Sequence, residues 1–248
     1  MAERVTDLSK SPDRIAGMFD AIAGRYDLLN HLLSAGIDRR WRKRAIETLS
    51  LTGRERVLDL CAGTADLAIA AIQAQPPAAR VVGVDFAQAM LRAGKEKIRQ
   101  GGLSDRIALV RGDATHVPIA DGAVDALTIG FGIRNVENTG AACDEMHRVL
   151  APGGRIAILE FAIPATPVVR TIYLWYFTHI LPFIGRLVSR HSAAYEYLPA
   201  SVGAFASPGE LVTILRQHGF VDVDATRLTF GIVFLYTGRR GQGLGAGG

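Results

Sequence analysis

The feature that most constrains the fold is a unit of short apolar strand, turn and helix that recurs along the chain. Helical segments, such as the Ala-rich run from Leu67 to Ile72, alternate with predicted strands at 56–60, 81–84, 107–110, 124–129 and 155–159. Alternating units of this kind predict an α/β fold with a mostly parallel, doubly wound sheet and right-handed crossovers. The 248 residues are a length that such folds often use as one domain.

The two ends of the chain do not follow this alternation of strands and helices. Residues 1–50 carry an apolar stripe from Ile15 to Leu29 at helical spacing, which predicts an N-terminal helical lid on the domain formed by residues 51–237. Two closely spaced strands near 221–226 and 232–236 predict an antiparallel edge pair. An apolar insertion occupies about 165–205, and we expect residues 238–248, which are rich in glycine, to be a disordered tail.

Composition favours a cytoplasmic protein. The two cysteines, Cys61 and Cys143, have no metal-ligand spacing, and residues 1–13 lack the apolar core of a signal peptide. The net charge is +4, partly from the basic run 39–44, which is either a solvated helix face or a patch attracted to an anionic membrane or to RNA. Contact with the inner face of the cytoplasmic membrane therefore stays an open alternative.

Small and acidic residues follow three of the predicted strands. Because ligands of open α/β sheets bind outside the carboxyl ends of the strands, these residues are candidates for a nucleoside site. The turn after the first strand contains Gly63, Thr64 and Asp66. The next two strands end in Asp85, suited to ribose hydroxyls, and in Asp113-Ala114, where a carboxylate could meet an adenine amino group.

Two ligand classes compete for such a site. The turn lacks the G-x-G-x-x-G pattern of dinucleotide-binding enzymes, and Asp66 stands where a pyrophosphate would need positive potential. A cationic sulfonium suits an acidic turn better, which favours a methyltransferase over a dehydrogenase. Thr64 as an ordinary helix N-cap, and Asp66 as a partner of the helix dipole, stay open.

Specific sequence blocks then identify a family. Over Ile15 to about Tyr236 the chain resembles the ubiquinone/menaquinone-biosynthesis C-methyltransferases. The blocks that carry the resemblance are MFD at 18–20, RYD at 25–27, VLD at 57–59, GTAD at 63–66, VDF at 84–86, TIGFGIRNV at 128–136, RVLAPGG at 148–154 and LEF at 159–161. The TIGFGIRNV block is the most specific of these.

The resemblance implies a class I, Rossmann-like methyltransferase fold with S-adenosylmethionine as methyl donor and no metal. It implies that the cofactor is contacted by five residues, namely Gly63, Thr64, Asp85, Asp113 and Ala114. The commoner turn of the family reads Gly-Gly-Thr-Gly-Asp, whereas the turn at 61–66 and Thr128-Ile129-Gly130 look like the menaquinone branch.

We therefore expect conversion of demethylmenaquinol, a prenylated quinol, to menaquinol. A ubiquinone precursor, or another small phenol or lipid, is the alternative substrate. A non-catalytic regulatory protein that binds S-adenosylmethionine is the alternative from another class. We expect no nucleic-acid partner, and a homodimer stays open.

Carbon methylation of a quinol needs a deprotonated ring hydroxyl next to the reacting carbon. Arg134 is the candidate to stabilise that phenolate, and Asp66 and Tyr26 are candidates to organise proton acceptance. Tyr26 as an ordinary buried tyrosine is the alternative. We expect the apolar segment 168–188 to receive the prenyl tail or to contact lipid. The alternatives are that this segment belongs to the protein core or forms a dimer surface.

Overall fold

The recurring units form one seven-stranded sheet. The computed structural model describes residues 10–34, 36–180 and 193–241. The strands are β1 (Arg56–Leu60), β2 (Arg80–Asp85), β3 (Ile107–Arg111), β4 (Val124–Gly130), β5 (Leu150–Phe161), β6 (Phe220–Leu228) and β7 (Val233–Arg240). Their order in the sheet is β3-β2-β1-β4-β5-β7-β6. The first five are parallel, and β7 runs antiparallel to both β5 and β6. The predicted sheet with its antiparallel edge pair is confirmed.

Helices cover both faces of the sheet, as a parallel sheet requires. One apolar core joins the sheet to α3 (Asp38–Thr48), α4 (Asp66–Gln73) and α5 (Gln88–Gln100). A second core on the opposite face includes α6 (Thr139–Val149) and α9 (Pro208–Gln217). The order of strands reverses between β1 and β4, so the carboxyl ends of these two strands flank the crevice where ligands of such sheets bind.

The N-terminal stripe folds as two short helices rather than one long one. α1 (Pro12–Ile22) is followed by a 3₁₀ turn (Ala23–Arg25) and then by α2 (Tyr26–Leu33). The break contains Gly24, a residue that weakens helices. The α1 helix packs against α5, and the Asp20 carboxylate accepts a hydrogen bond of 2.7 Å from the backbone N–H of Ala89 in the first turn of α5.

The predicted insertion lies between β5 and α9. It contains α7 (Pro167–Trp175), a turn of π-helix (Tyr176–Ile180) and α8 (Ala193–Ala204), and residues 181–192 lie outside the described residues. Within the described residues no single helix is long and apolar enough to cross a membrane. One bent pair, Tyr197–Ala204 with Pro208–Gln217, meets that criterion by length and composition together.

Two expected boundaries need correction at the C-terminal edge of the sheet. Strand β7 continues to Arg240, so the tail does not begin at Gly238: Gly238 pairs with Ile156 and Arg239 with Arg155. Pairing with β5 on one side outweighs the glycine-rich composition that suggested disorder. The fifth strand, predicted at 155–159, is also longer than expected: β5 begins at Leu150 and includes Pro152-Gly153-Gly154. The rest of the predicted tail, 242–248, lies outside the described residues.

Candidate cofactor and substrate site

The turn after β1 and the end of β2 are held together by Asp85. Its carboxylate accepts 2.8 Å hydrogen bonds from the backbone N–H groups of Gly63 and Ala87, one on each oxygen. The backbone N–H of Phe86 also interacts with this carboxylate. Burial raises the pKa of Asp85, while the three backbone donors oppose the rise. An ionised carboxylate has about four acceptor positions, so capacity remains to accept a ribose hydroxyl.

The space beside this turn is limited by a methionine. A side chain on Gly63, whose φ is +53°, would lie 3.3 Å from the terminal methyl of Met90. Asp113, after β3, has one oxygen engaged with the backbone and hydroxyl of Thr115, and the neighbouring Ala114 is buried. The structure therefore brings Gly63, Asp85, Asp113 and Ala114 to the same edge of the sheet. Contact of each with S-adenosylmethionine stays a prediction.

Three residues around the crevice other than glycine have left-handed backbone angles. They are Cys61 (φ 56°), Ala65 (φ 68°) and Phe131 (φ 60°). Side chains rarely adopt this conformation, and such residues cluster at ligand sites, where the surrounding structure enforces them.

Beneath the turn lies a buried carboxylate, Asp59. It accepts hydrogen bonds from the Thr128 hydroxyl (2.8 Å) on β4 and from the backbone N–H of Ala68 (3.1 Å) in α4. Burial raises the pKa of Asp59 to about 7 despite these two donors. Asp59 therefore ties β1, β4 and α4 together at the crevice.

Thr64 and Asp66 belong to a chain of ion pairs that joins the N-terminal helices to the domain. The Thr64 hydroxyl donates to Asp27 (2.5 Å), and Lys97 lies 2.5 Å from Asp27 and 2.7 Å from Asp66. Asp66 is also 3.0 Å from Arg42, which pairs with Asp38. The Thr64 side chain caps no helix here: the residue before α4 is Ala65. Two cations balance the charge of Asp66, a feature that sequence reasoning missed.

The basic run on α3 is therefore not a uniform solvated face. Arg39, Arg40, Lys43 and Arg44 are exposed, but Trp41 and Arg42 are buried. The Trp41 ring lies edge-on against Phe131 and Phe161, which stack on each other at 4.5 Å between centroids. In the sequence, the only sign that Trp41 and Arg42 would be buried was the presence of a tryptophan within a charged run.

These three rings form one wall of an apolar cavity of about 570 Å³. Its other walls come from α1, α2, α7, α8 and the turn before β7, with lining residues that include Phe19, Tyr26, Ile172, Tyr173, Tyr197 and Phe230. Its few polar groups include Arg134, which follows β4, and Tyr26. Burial raises the pKa of Tyr26, and a hydrogen bond from Asn30 only partly opposes the rise. Tyr26 is therefore a protonated phenol. A largely apolar cavity with a few polar groups is typical of a small-molecule site.

The Arg134 guanidinium is paired with Glu160 at the end of β5. The Nη1–Oε1 distance is 2.6 Å, and both side chains are buried. The same nitrogen donates to the carbonyl of Phe131, and the Arg134 backbone N–H donates to the other carboxylate oxygen. Glu160 thus fixes the position of Arg134. Sequence analysis found the block containing Glu160 but assigned it no role.

Of the predicted catalytic residues, Arg134 and Tyr26 line the cavity together. Asp66 does not line it and connects to it through Arg42, which does. Within the described residues, no group of three or more His, Cys, Asp or Glu side chains is arranged to hold a metal ion.

Comparison with known proteins identifies the family of this chain. The model of the ubiE/COQ5 methyltransferase family matches residues 7–240. The chain is 46% identical over 233 residues to a ubiquinone/menaquinone biosynthesis C-methyltransferase of Geobacter sp. (strain M21), covering 94% of this chain and 99% of the relative. It is 38% identical to a demethylmenaquinone methyltransferase of Lactiplantibacillus plantarum, covering 91% of this chain and 95% of the relative.

Solved structures show the same fold at low identity. One is described as an S-adenosylmethionine-dependent methyltransferase of Thermotoga maritima. It has a TM-score of 0.65 at 15% identity, and the match covers 90% of this chain and 98% of that one. The cyclase SpnF has a TM-score of 0.70 at 16% identity, covering 94% and 97%. Because these structures differ in activity, they show the fold alone. The family match and the close relatives together show that the chain belongs to the ubiE/COQ5 methyltransferase family and is an S-adenosylmethionine-dependent methyltransferase.

Proposed function

We propose that the enzyme methylates a ring carbon of a prenylated quinol, with demethylmenaquinol as its substrate. The observation that carries the proposal is the apolar cavity with Arg134 in its wall. Two of its lining residues, Phe19 and Tyr26, also pack against the segment that follows Asp85 at the end of β2. The named activities of the relatives, in ubiquinone/menaquinone biosynthesis and on demethylmenaquinone, support the same substrate class.

S-adenosylmethionine, when bound, supplies an electrophilic methyl group. Gly63, Thr64, Asp85, Asp113 and Ala114 are the residues that would hold it. Asp85 would accept hydrogen bonds from the ribose through the acceptor capacity that its backbone donors leave. The packing of Phe19 and Tyr26 around Met90 makes the N-terminal helices a lid that keeps water from this edge of the sheet.

The protein must also make the ring carbon nucleophilic. Arg134 lowers the energy of the ring phenolate, because its charge is permanent and acts in a water-poor cavity. Glu160 positions the guanidinium by holding Nη1, so the other nitrogens are the donors that remain for substrate. Tyr26 remains protonated and would donate a hydrogen bond that positions a bridging water. That water would take the proton from the ring hydroxyl and pass a proton on to the Asp66 carboxylate, which Arg42 connects to the cavity.

The prenyl tail would leave the cavity beside α7. Val168, Ile172 and Trp175 form a stripe on this helix and are 69%, 62% and 54% exposed. Residues 162–180 contain no Asp or Glu, so this surface does not repel an anionic bilayer. Ile172 both lines the cavity and lies on the exposed stripe, which gives the tail a continuous apolar path toward lipid.

The direct test is incubation with methyl-labelled S-adenosylmethionine and reduced demethylmenaquinone. We expect label on the ring carbon of the extracted quinone. Arg134→Ala should abolish transfer while binding S-adenosylmethionine within a few-fold of wild type. Arg92→Ala, on the exposed face of α5, is the matched control and should keep activity. Transfer that survives Arg134→Ala would show that the role of Arg134 is wrong.

A further inference from the structure

Two buried polar atoms near the cavity have no partner. Among the described residues, four buried side-chain nitrogen or oxygen atoms lack a hydrogen bond, namely His31 Nδ1, Asp66 Oδ2, Arg134 Nε and Tyr173 Oη. The first two have an ionic partner, Asp38 at 2.9 Å and Arg42 at 3.0 Å. Arg134 Nε and Tyr173 Oη have none, and both residues line the cavity. Leaving such a group unpaired is costly, so a native protein tends to supply a partner.

The Tyr173 hydroxyl differs from those of two other tyrosines in the cavity. Tyr197 donates to the Asn135 side chain at 3.1 Å, and Tyr26 bonds with Asn30. Tyr173 is only 5% exposed, and its ring is fixed against Phe177 at 4.2 Å between centroids. Tyr173 lies on α7, in the insertion that interrupts the alternation of strands and helices. Tyr173 is therefore a rigidly held hydroxyl whose hydrogen-bonding capacity is unused.

We propose that Tyr173 recognises the second oxygen of the substrate ring, the hydroxyl across the ring from the one next to the methylated carbon. This inference rests on the proposed function and makes it more specific: the site selects dihydroxylated rings over monophenols.

The chemistry of the two unpaired groups assigns one to each oxygen. Arg134 carries a permanent charge and suits the oxygen that becomes a phenolate. Burial raises the pKa of Tyr173 well above its usual range, so the hydroxyl stays protonated. A neutral hydroxyl both donates and accepts, which matches a ring hydroxyl that keeps its proton throughout the reaction. A ring with only one oxygen would leave the Tyr173 hydroxyl unpaired in the closed complex.

The test compares two substrates and three proteins. The substrates are demethylmenaquinol and its monohydroxy analogue, which keeps only the hydroxyl next to the methylated carbon. The proteins are wild type, Tyr173→Phe, which removes the hydroxyl and keeps the ring, and Tyr236→Phe, a buried tyrosine outside the cavity. The measured quantity is the ratio of kcat/KM for the two substrates, because the difference in their intrinsic reactivity cancels between proteins.

We expect Tyr173→Phe to lower this ratio about ten- to a hundred-fold, the loss typical of one hydrogen bond to a buried hydroxyl. Tyr236→Phe should leave the ratio at the wild-type value, and all three proteins should bind S-adenosylmethionine equally well. A ratio unchanged in Tyr173→Phe overturns the assignment while the proposed function stands. Equal dissociation constants of wild type for the two substrates, measured with S-adenosylhomocysteine in place of the methyl donor, overturn it too, even if Tyr173→Phe fails to fold. No methylation of the quinol by wild type overturns the proposed function, and this inference with it.

Discussion

Removing the amine of Lys97 should loosen the N-terminal helices from the rest of the domain. Lys97, on α5, bridges Asp27 of α2 and Asp66 of α4 at 2.5 and 2.7 Å. In Lys97→Met the bridge is lost, and two carboxylates face each other without the cation between them. The aliphatic stem is retained, so packing changes little.

The magnitude follows from the exposure of the three side chains. They are 29%, 36% and 22% exposed for Lys97, Asp27 and Asp66, so solvent weakens both pairs without cancelling them. A partly exposed pair contributes roughly 0.5 to 1 kcal/mol. The variant loses the Lys97–Asp27 pair and gains a repulsion of similar size between Asp27 and Asp66, which together favour opening of α2 by about 1 to 2 kcal/mol. A loss of 1.4 kcal/mol corresponds to about ten-fold more frequent opening. The effect should stay local, because the Lys97–Asp27 pair is the one that joins α2 to the domain and neither pair involves a strand of the sheet.

Hydrogen exchange reads this opening directly. We expect the backbone amides of 26–33 to exchange about ten-fold faster in Lys97→Met at low salt, with β1 and β4 unchanged. Lys95→Met, two residues earlier on the exposed face of the same helix, is the control and should match wild type. In about 1 M salt the Debye length falls to about 3 Å, and the wild type should move toward the variant. Equal exchange in wild type and Lys97→Met at low salt would refute the view that this bridge fastens the lid.

Three further predictions concern stability, each read from urea unfolding. The pKa of Asp59 is about 7 when folded and near 4 when unfolded, so the folded chain holds this proton more tightly. The stability that this proton contributes should be lost as pH rises from about 4 to about 7. Asp59→Asn should therefore reduce the dependence of the free energy of unfolding on pH in this range. An unchanged pH dependence in the variant would contradict the raised pKa of Asp59. Gly132→Ala should destabilise by about 1 to 3 kcal/mol, because the new Cβ would overlap that of Cys61. Gly17→Ala, in α1 with open space around it, should stabilise by about 0.5 to 1 kcal/mol, and a loss there would contradict the helical assignment.

The regular part of the fold could be predicted because its signals are local. Short buried strands followed by glycine-containing turns and apolar helices specify a parallel sheet, and the acidic residues Asp85 and Asp113 mark the ends of its strands. The expected tail was wrong at 238–240 because strand pairing depends on the neighbouring β5, which lies far away in sequence.

The candidate site was less predictable, because its electrostatics depend on contacts between distant segments. Arg134 was found as a cation near the strand ends, but its partner Glu160 is 26 residues away and lies on another strand. Asp66 was expected to organise proton acceptance or to complement the helix dipole, whereas the structure pairs it with Arg42 and Lys97. No periodicity in the sequence reports which charges are already paired.

The division of the site between two kinds of chain segment has a consequence for how such enzymes diversify. The strand ends that suit a nucleoside belong to β1, β2 and β3, whereas most of the cavity is walled by α1, α2, α7, α8 and the turn before β7, all outside the repeating units. Exchanging those peripheral segments between paralogues therefore changes which methyl acceptor is used, while the part of the site proposed for S-adenosylmethionine stays the same. Chimeras with junctions near residues 50 and 162–207 are the natural way to transplant acceptor choice, and they leave five parallel strands untouched.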